Sequence, residues 1–165
     1  IIASDISRYD LHSPGEATQG AGAVAMLISV NPKIMEIEPF SGCHTEDIMD
    51  FWRPHYRKTP LVDGKYSAMK YLHALAHAWK DYQNCGGHAF SDFAQFCYHL
   101  PFIRIAEKAH RHLSSLNEAE EDESLIKAGM VHSRQIGNCY NASLYLSLVS
   151  MLENYSDDLS GKVIS

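Results

Sequence analysis

Positive charge is in short supply: 14 Lys and Arg stand against 20 Asp and Glu, a net charge of −6 with histidines neutral. A surface of that sign repels a phosphate backbone, so no nucleic-acid partner is expected. Long apolar runs are also missing. The longest, Ala21 to Val30, covers about ten residues, whereas a membrane helix needs roughly 20. The first residues carry no basic segment leading into an apolar core of signal-peptide type, and no membrane partner is expected. The four cysteines, Cys43, Cys85, Cys97 and Cys139, are widely spread, with no C-x-x-C pair. Neither a disulfide framework nor a zinc ribbon is expected, and reduced thiols in a cytoplasmic setting are. Internal repeats and low-complexity tracts are absent.

What is present is the material of one folded domain: 165 residues, 45% hydrophobic and 21% charged, enough to bury a core. Ala21 to Ser29 reads as a buried strand, introduced by Ser13-Pro14-Gly15-Glu16 and ended by Asn31-Pro32. Residues 40 to 64 read as a long, partly aromatic loop. Over residues 67 to 83, Ala68, Leu72, Leu75, Ala76, Trp79 and Tyr82 recur at helical spacing, with Ser67 able to cap the start and Asn84-Cys85-Gly86-Gly87 ending it. Phe93 to His99 reads as a short buried strand, and Pro101 as the first turn of a helix whose stripe is Phe102, Ile105, Ala106, Ala109, Leu113 and Leu116. The five acids within Glu118–Glu123 read as a solvated loop. Residues 141 to 153, Leu-rich and uncharged until Glu153, read as a helix buried nearly all round. Ile1-Ile2-Ala3-Ser4-Asp5 reads as a strand already under way, and Gly161-Lys162-Val163-Ile164-Ser165 as one just starting. The expectation is an interior piece of a longer, mixed α/β layered domain spanning residues 1–165.

Ten histidines raise the question of a metal. His73 and His77 lie four apart on the predicted helix, a spacing that holds zinc in metalloproteases, where a Glu follows the first His. Here none does, and Lys70 and Lys80 share the face, so a solvated helix face is expected. His110 and His112 flank Arg111, and His12, His44, His55, His88 and His132 are isolated, so no metal site is expected. His99 differs: it ends a predicted buried strand and precedes a helix, the place where layered α/β proteins present reactive side chains. Imidazole suits proton transfer near neutral pH, although a structural histidine fits the same pattern. Asn138, in the turn before the last helix, is either a fixed amide donor or a turn residue.

The strings around these residues carry a resemblance. Ser4-Asp5-Ile6-Ser7-Arg8-Tyr9, Gly15-Glu16-Ala17-Thr18-Gln19-Gly20-Ala21-Gly22-Ala23-Val24-Ala25 and Thr45-Glu46-Asp47-Ile48-Met49-Asp50-Phe51-Trp52-Arg53-Pro54 resemble the 3-hydroxy-3-methylglutaryl-CoA (HMG-CoA) synthase family. So do Leu61-Val62-Asp63-Gly64-Lys65, Cys97-Tyr98-His99-Leu100-Pro101-Phe102 and Gly137-Asn138-Cys139-Tyr140-Asn141-Ala142-Ser143-Leu144-Tyr145. The likeness runs in order along the whole chain and is nearest the bacterial type. Tyr98 to Phe102 with Ala106 to Leu113 looks most like the branch that serves polyketide assembly lines.

The resemblance implies a thiolase-like αβαβα sandwich, paired as a homodimer, of which the chain holds the end of the first half and most of the second. It implies that His99 is the catalytic histidine and that Asn138 contacts the acceptor acyl group. Asp5, Tyr9, Thr18, Asp50 and Phe51 would shape the acyl pocket, with Pro101 beside the thioester path and Arg104 near a phosphate of the carrier. The family's nucleophilic cysteine and general-base glutamate would precede residue 1, and its glycine- and serine-rich closing turn would follow Ser165. No cysteine here sits in the nucleophile motif, so this stretch alone is not expected to catalyse. The implied reaction joins an acetyl thioester to a β-ketoacyl thioester. Phosphopantetheine thioesters on CoA or an acyl carrier protein are its substrates, and no bound cofactor is implied. A carrier-bound acceptor, giving a β-branch on a polyketide, is the preferred expectation. The alternatives are primary-metabolism synthesis of HMG-CoA from acetyl-CoA and acetoacetyl-CoA, and a non-catalytic thiolase-fold partner.

Overall fold

A computed structural model describes residues 1–165. The chain opens with an antiparallel hairpin of β1 (Ile2–Ser7) and β2 (Gly20–Ala25), in register from Ile2 opposite Ala25 to Ser7 opposite Gly20. A connection without helix or strand leads to the short pair β3 (Phe51–Trp52) and β4 (Leu61–Val62). Then come α1 (Gly64–Asn84), β5 (Phe93–Gln95) and α2 (Ile103–Leu116), followed by two single-turn helices, α3 (Ser124–Lys127) and α4 (Ser133–Ile136). The chain closes with α5 (Ala142–Asn154) and β6 (Val163–Ile164), which pairs parallel to β5. The architecture is mixed α/β, as expected, with three two-stranded pieces of sheet.

Several expectations shift in detail. β2 is not a buried strand: it ends at Ala25, and Val24 alone of its residues is buried. The helix expected from 67 starts earlier, because Asp63 supplies the cap that Ser67 was expected to provide. Its carboxylate accepts the Tyr66 amide at 3.1 Å, an interaction of about 1 kcal/mol. The strand expected over Phe93–His99 pairs only as far as Gln95. Beyond it the chain stays anchored, Phe96 N donating to Leu125 O and Cys97 N to Ser165 O. Pro101 lies just before the α2 cap, Phe102, and not inside the first turn. The last helix is not buried all round. Its covered stripe is Ala142, Ser143, Ser147, Ser150 and Met151, while Leu144 and Leu152 are exposed. The acidic run is a solvent-facing loop, as read from the sequence.

The main core joins Phe93, Phe96, Tyr98 and Leu100 to the buried face of α2 and to Ile126 and Met130. α1 lays Tyr71, Leu72, Leu75, Trp79 and Tyr82 over it. His110 sits inside this core. Its Nδ1 lies 3.1 Å from the Tyr98 hydroxyl and its Nε2 3.1 Å from the Asp122 carbonyl, so it is a satisfied structural histidine. A smaller core of Ala3, Cys139 and Ala142 seats α5 on the β1–β2 hairpin. Ser150 Oγ, donating to Ala128 O at 2.6 Å, ties α5 to the turn after α3.

Candidate active site

The residues predicted to shape the acyl pocket converge around Asn138. Gly137, with φ of 83°, terminates α4 in a conformation that L side chains rarely adopt. The next residue can then bridge in parallel to Gln19, just before β2. Asn138 N donates to Thr18 O at 2.8 Å, and Asn138 O accepts from Ser7 Oγ at 2.8 Å. The side chain is equally held. Oδ1 accepts from Tyr140 N at 2.8 Å and from Ser143 Oγ at 3.4 Å, and Nδ2 donates to the Tyr9 hydroxyl at 3.2 Å. These bonds fix which end of the amide is the donor. One of its two N–H groups has a protein acceptor and the other does not.

Around this amide the Tyr9 ring meets Phe51 edge-on, centroids 6.5 Å apart, and Phe51 lies 5.7 Å from Tyr140. Thr18 contributes its carbonyl to Asn138, while its hydroxyl donates back to Gly15 O at 2.8 Å. Asp5, on β1, lies near enough that its charge helps hold the Cys139 thiol and the Tyr140 hydroxyl in their protonated forms. Burial is the larger cause for both. Asp50 enters through its backbone, whose carbonyl accepts from Asp63 N at 2.9 Å and so places Phe51 beside the start of α1.

His99, Pro101 and Arg104 form a second group, on the segment entering α2. Phe96, Tyr98 and Leu100 are buried and alternate with the less buried Cys97 and His99, as an extended chain requires. The Tyr71 hydroxyl donates to the His99 carbonyl at 2.9 Å, fixing the backbone there. The imidazole itself has no hydrogen-bond partner within the chain, and burial holds its pKa below the usual histidine range. No hydrogen bond or ring pair joins it to the Asn138 group. Arg104 and Lys108 are exposed on α2 without ion-pair partners, whereas Arg111 Nε is committed to Glu121 Oε2 at 2.8 Å.

None of this makes a nucleophile. Burial pushes the Cys97 thiol up to about 11 and raises that of Cys139, which keeps both protonated and inert. Two features escaped the sequence. Ser7, the last residue of β1, is the hydroxyl that holds the Asn138 backbone. His44, read as an isolated histidine, and Glu46 lie against His73 and His77 of α1; that face is exposed, as expected, and also touched by the connection before β3. His44, Glu46 and His73 bring one nitrogen or oxygen atom each to within 4.8 Å of one another.

The fold defines a mixed α/β domain of the thiolase-like class, in which a hydrogen-bonded amide, Asn138, and a partly buried histidine, His99, stand in two separate groups. The model of the hydroxymethylglutaryl-coenzyme A synthase C-terminal family matches residues 35–128, more than half of the chain. The HMG-CoA synthase of Enterococcus faecalis is 38% identical over 167 residues, covering 99% of this chain and 44% of its own length. The polyketide biosynthesis 3-hydroxy-3-methylglutaryl-ACP synthase of Bacillus subtilis is 29% identical over 173 residues, covering 93% and 41%. A crystal structure of HMG-CoA synthase complexed with CoA superposes with a TM-score of 0.90 at 42% identity, covering 99% of this chain and 43% of that one. The chain belongs to the hydroxymethylglutaryl-CoA synthase family. It spans less than half the length of these relatives.

Proposed function

We propose that this chain supplies the acceptor side of an HMG-CoA synthase-type condensation, in which the enolate of an enzyme-held acetyl thioester attacks the ketone of a β-ketoacyl thioester. The observation that carries the reading is the Asn138 amide. Two backbone and three side-chain hydrogen bonds hold the residue rigidly, and one side-chain N–H remains to donate to the acceptor carbonyl. Such a donor orients the ketone without reorganising during reaction. Tyr9, Phe51 and Tyr140 form the apolar wall, and Asp5, Thr18 and Asp50 support it. His99 meets the alkoxide that the attack creates. Burial keeps the free ring neutral, and the developing anion offsets that penalty by favouring the protonated imidazole. The step forms the C–C bond as the ketone C=O π bond breaks, and the tertiary alkoxide takes one proton from protonated His99, leaving the ring neutral. Nucleophile and general base lie outside the residues of this chain, as the family resemblance implies.

For the acceptor we assign acetoacetyl-CoA in place of the carrier-bound chain that the Tyr98–Leu113 string led us to prefer. Identity to the Enterococcus enzyme is higher, and Arg111, the next cation along α2 after Arg104 and Lys108, is neutralised by Glu121. Exposed Arg104 and Lys108 remain for a CoA phosphate, with Pro101 beside the thioester arm. The carrier-bound acceptor stays as the second reading, favoured by those same two cations. Cytoplasmic location and homodimer formation belong to the proposal as well. The outward side chains Ile2 and Ile6 of β1, 77% and 62% exposed, support further apolar packing on that face.

The test is single-turnover kinetics on the full protein. In His99→Ala, acetyl transfer to the enzyme should persist while condensation from preacetylated enzyme falls about 10²–10⁴-fold. Asn138→Ala should impair the same step less. Loss of acetylation in correctly folded His99→Ala would move the histidine to the donor side and overturn the assignment.

A further inference from the structure

We infer that His44, Glu46 and His73 form a divalent transition-metal site, of zinc type, that clips the β2–β3 connection onto α1. His73 lies on α1 three residues after Lys70 and four before His77, so all three share one face. The connection brings His44 and Glu46 onto that face. Glu46 Oε2 is 3.5 Å from His44 Nε2 and 3.5 Å from His73 Nδ1. A tetrahedral ion with bonds of about 2.0–2.1 Å places neighbouring ligand atoms about 3.3 Å apart, so both separations already approach a coordination edge. All three ligand atoms lie within 4.8 Å of one another.

An independent observation points the same way. His44 Nε2 is buried and has no hydrogen-bond partner, although it faces a carboxylate. An orphaned polar atom of this kind is costly unless something binds it, and a metal ion would. The ammonium groups on this face are less adverse than the sequence implied. Lys70 is bound to Glu46 Oε1, which offsets its charge, orients the carboxylate as an outer-shell partner does and leaves Oε2 for the ion. Lys80 is followed by Asp81, whose carboxylate accepts the Cys43 amide at 2.9 Å and holds the loop in place. His77, its ring 4.8 Å from His44 and 4.3 Å from His73, adds a further imidazole at the same place. A groove of about 290 Å³ lined by Cys43, His44, His77, Lys80, Asp81 and Asn84 gives an ion access from solvent.

Two imidazoles with one carboxylate favour Zn²⁺, Co²⁺, Ni²⁺ or Cu²⁺ over the oxygen-seeking Mg²⁺ and Ca²⁺. The ion would tether a connection of 25 residues, 26 to 50, that contains no helix or strand of its own. That connection delivers Asp50 and Phe51 to the acyl pocket. Gly42 makes the approach possible, since a Cβ there would collide with the Ala78 carbonyl and with Tyr82 on α1.

The experiment is titration of chelator-treated full protein with Co²⁺ and Zn²⁺, followed by calorimetry and by the visible absorption of four-coordinate Co²⁺. One equivalent should bind, and Mg²⁺ should not compete. His44→Ala, His73→Ala and the isosteric Glu46→Gln should each weaken binding by about 10²-fold or more, a larger effect than loss of an outer-shell partner. Gly42→Ala should weaken it without removing a ligand. His112→Ala, on α2, should leave it unchanged. Absence of stoichiometric uptake, or uptake unaffected by His44→Ala and His73→Ala, would overturn the site. Each of these readouts is independent of catalytic activity.

Discussion

Ser7 offers a direct test of what holds the Asn138 amide. Its side chain is 2% exposed, and its hydroxyl serves two backbone groups at once. It donates to Asn138 O at 2.8 Å and accepts from Gly20 N at 2.9 Å. In Ser7→Ala both groups lose their partner where water has little access. With Gly20 N only part-buried, each orphaned group costs roughly 1–2 kcal/mol, so the substitution should destabilise the protein by about 2–4 kcal/mol. At about 2–4 °C per kcal/mol for a chain of this size, the melting temperature should fall by about 5–15 °C. The exposed Ser4→Ala on the same strand should change stability by less than about 0.5 kcal/mol. Because Asn138 loses one of its anchors, kcat for condensation should fall in Ser7→Ala with acetyl transfer preserved. Denaturant unfolding at fixed pH, paired with single-turnover kinetics, reads both effects. A Ser7→Ala protein as stable as Ser4→Ala would refute the view that this hydroxyl braces the site.

Two further outcomes follow from the same geometry. Burial lowers the His110 pKa below that of a free imidazole, against the smaller opposing pull of the Asp122 carbonyl. The unfolded chain therefore takes up the proton first, so this contribution to stability is complete above about pH 6.5 and is lost as pH falls below it. Denaturation at pH 7 and pH 5 should show a smaller acid loss in His110→Gln than in the unmodified protein, and an equal or larger loss would contradict this. Reversing the exposed cations, Arg104→Glu with Lys108→Glu, should raise KM for acetoacetyl-CoA several-fold with little change in acetylation rate. If turnover of a carrier-bound acceptor falls while that of acetoacetyl-CoA does not, the carrier reading replaces the CoA reading.

Periodicity made the helices legible. α1 and α2 carry apolar residues at three- and four-residue spacing, and a helix that must cover a core announces itself through that repeat. The alternation through Phe96, Tyr98 and Leu100 likewise marks His99 as the odd residue facing away from the core. The boundaries were less legible. The α1 cap depends on which of two nearby residues, Asp63 or Ser67, reaches a free amide, and the true ladder partner of β5 is β6, some 70 residues later. The burial of α5 was misread because its covered face consists of Ala, Ser and Met. Close packing against the hairpin and the Ala128–Met130 turn selects small residues there and leaves Leu144 and Leu152 outside, while Leu146 packs on the hairpin.

The sequence by itself determined the mixed α/β class, the family strings and the place of His99 at the end of an extended segment. Those features are written in local order: residue spacing, turn residues and contiguous motifs. Only the tertiary structure decided that Ser7 and Thr18 clamp Asn138, that Tyr9, Phe51 and Tyr140 gather beside it, and that His44 and Glu46 meet His73. Each of these meetings joins residues far apart in the chain. Closing such long loops costs entropy that no local pattern reveals, and the packing of α5 on the hairpin and of the 26–50 connection on α1 is what offsets it.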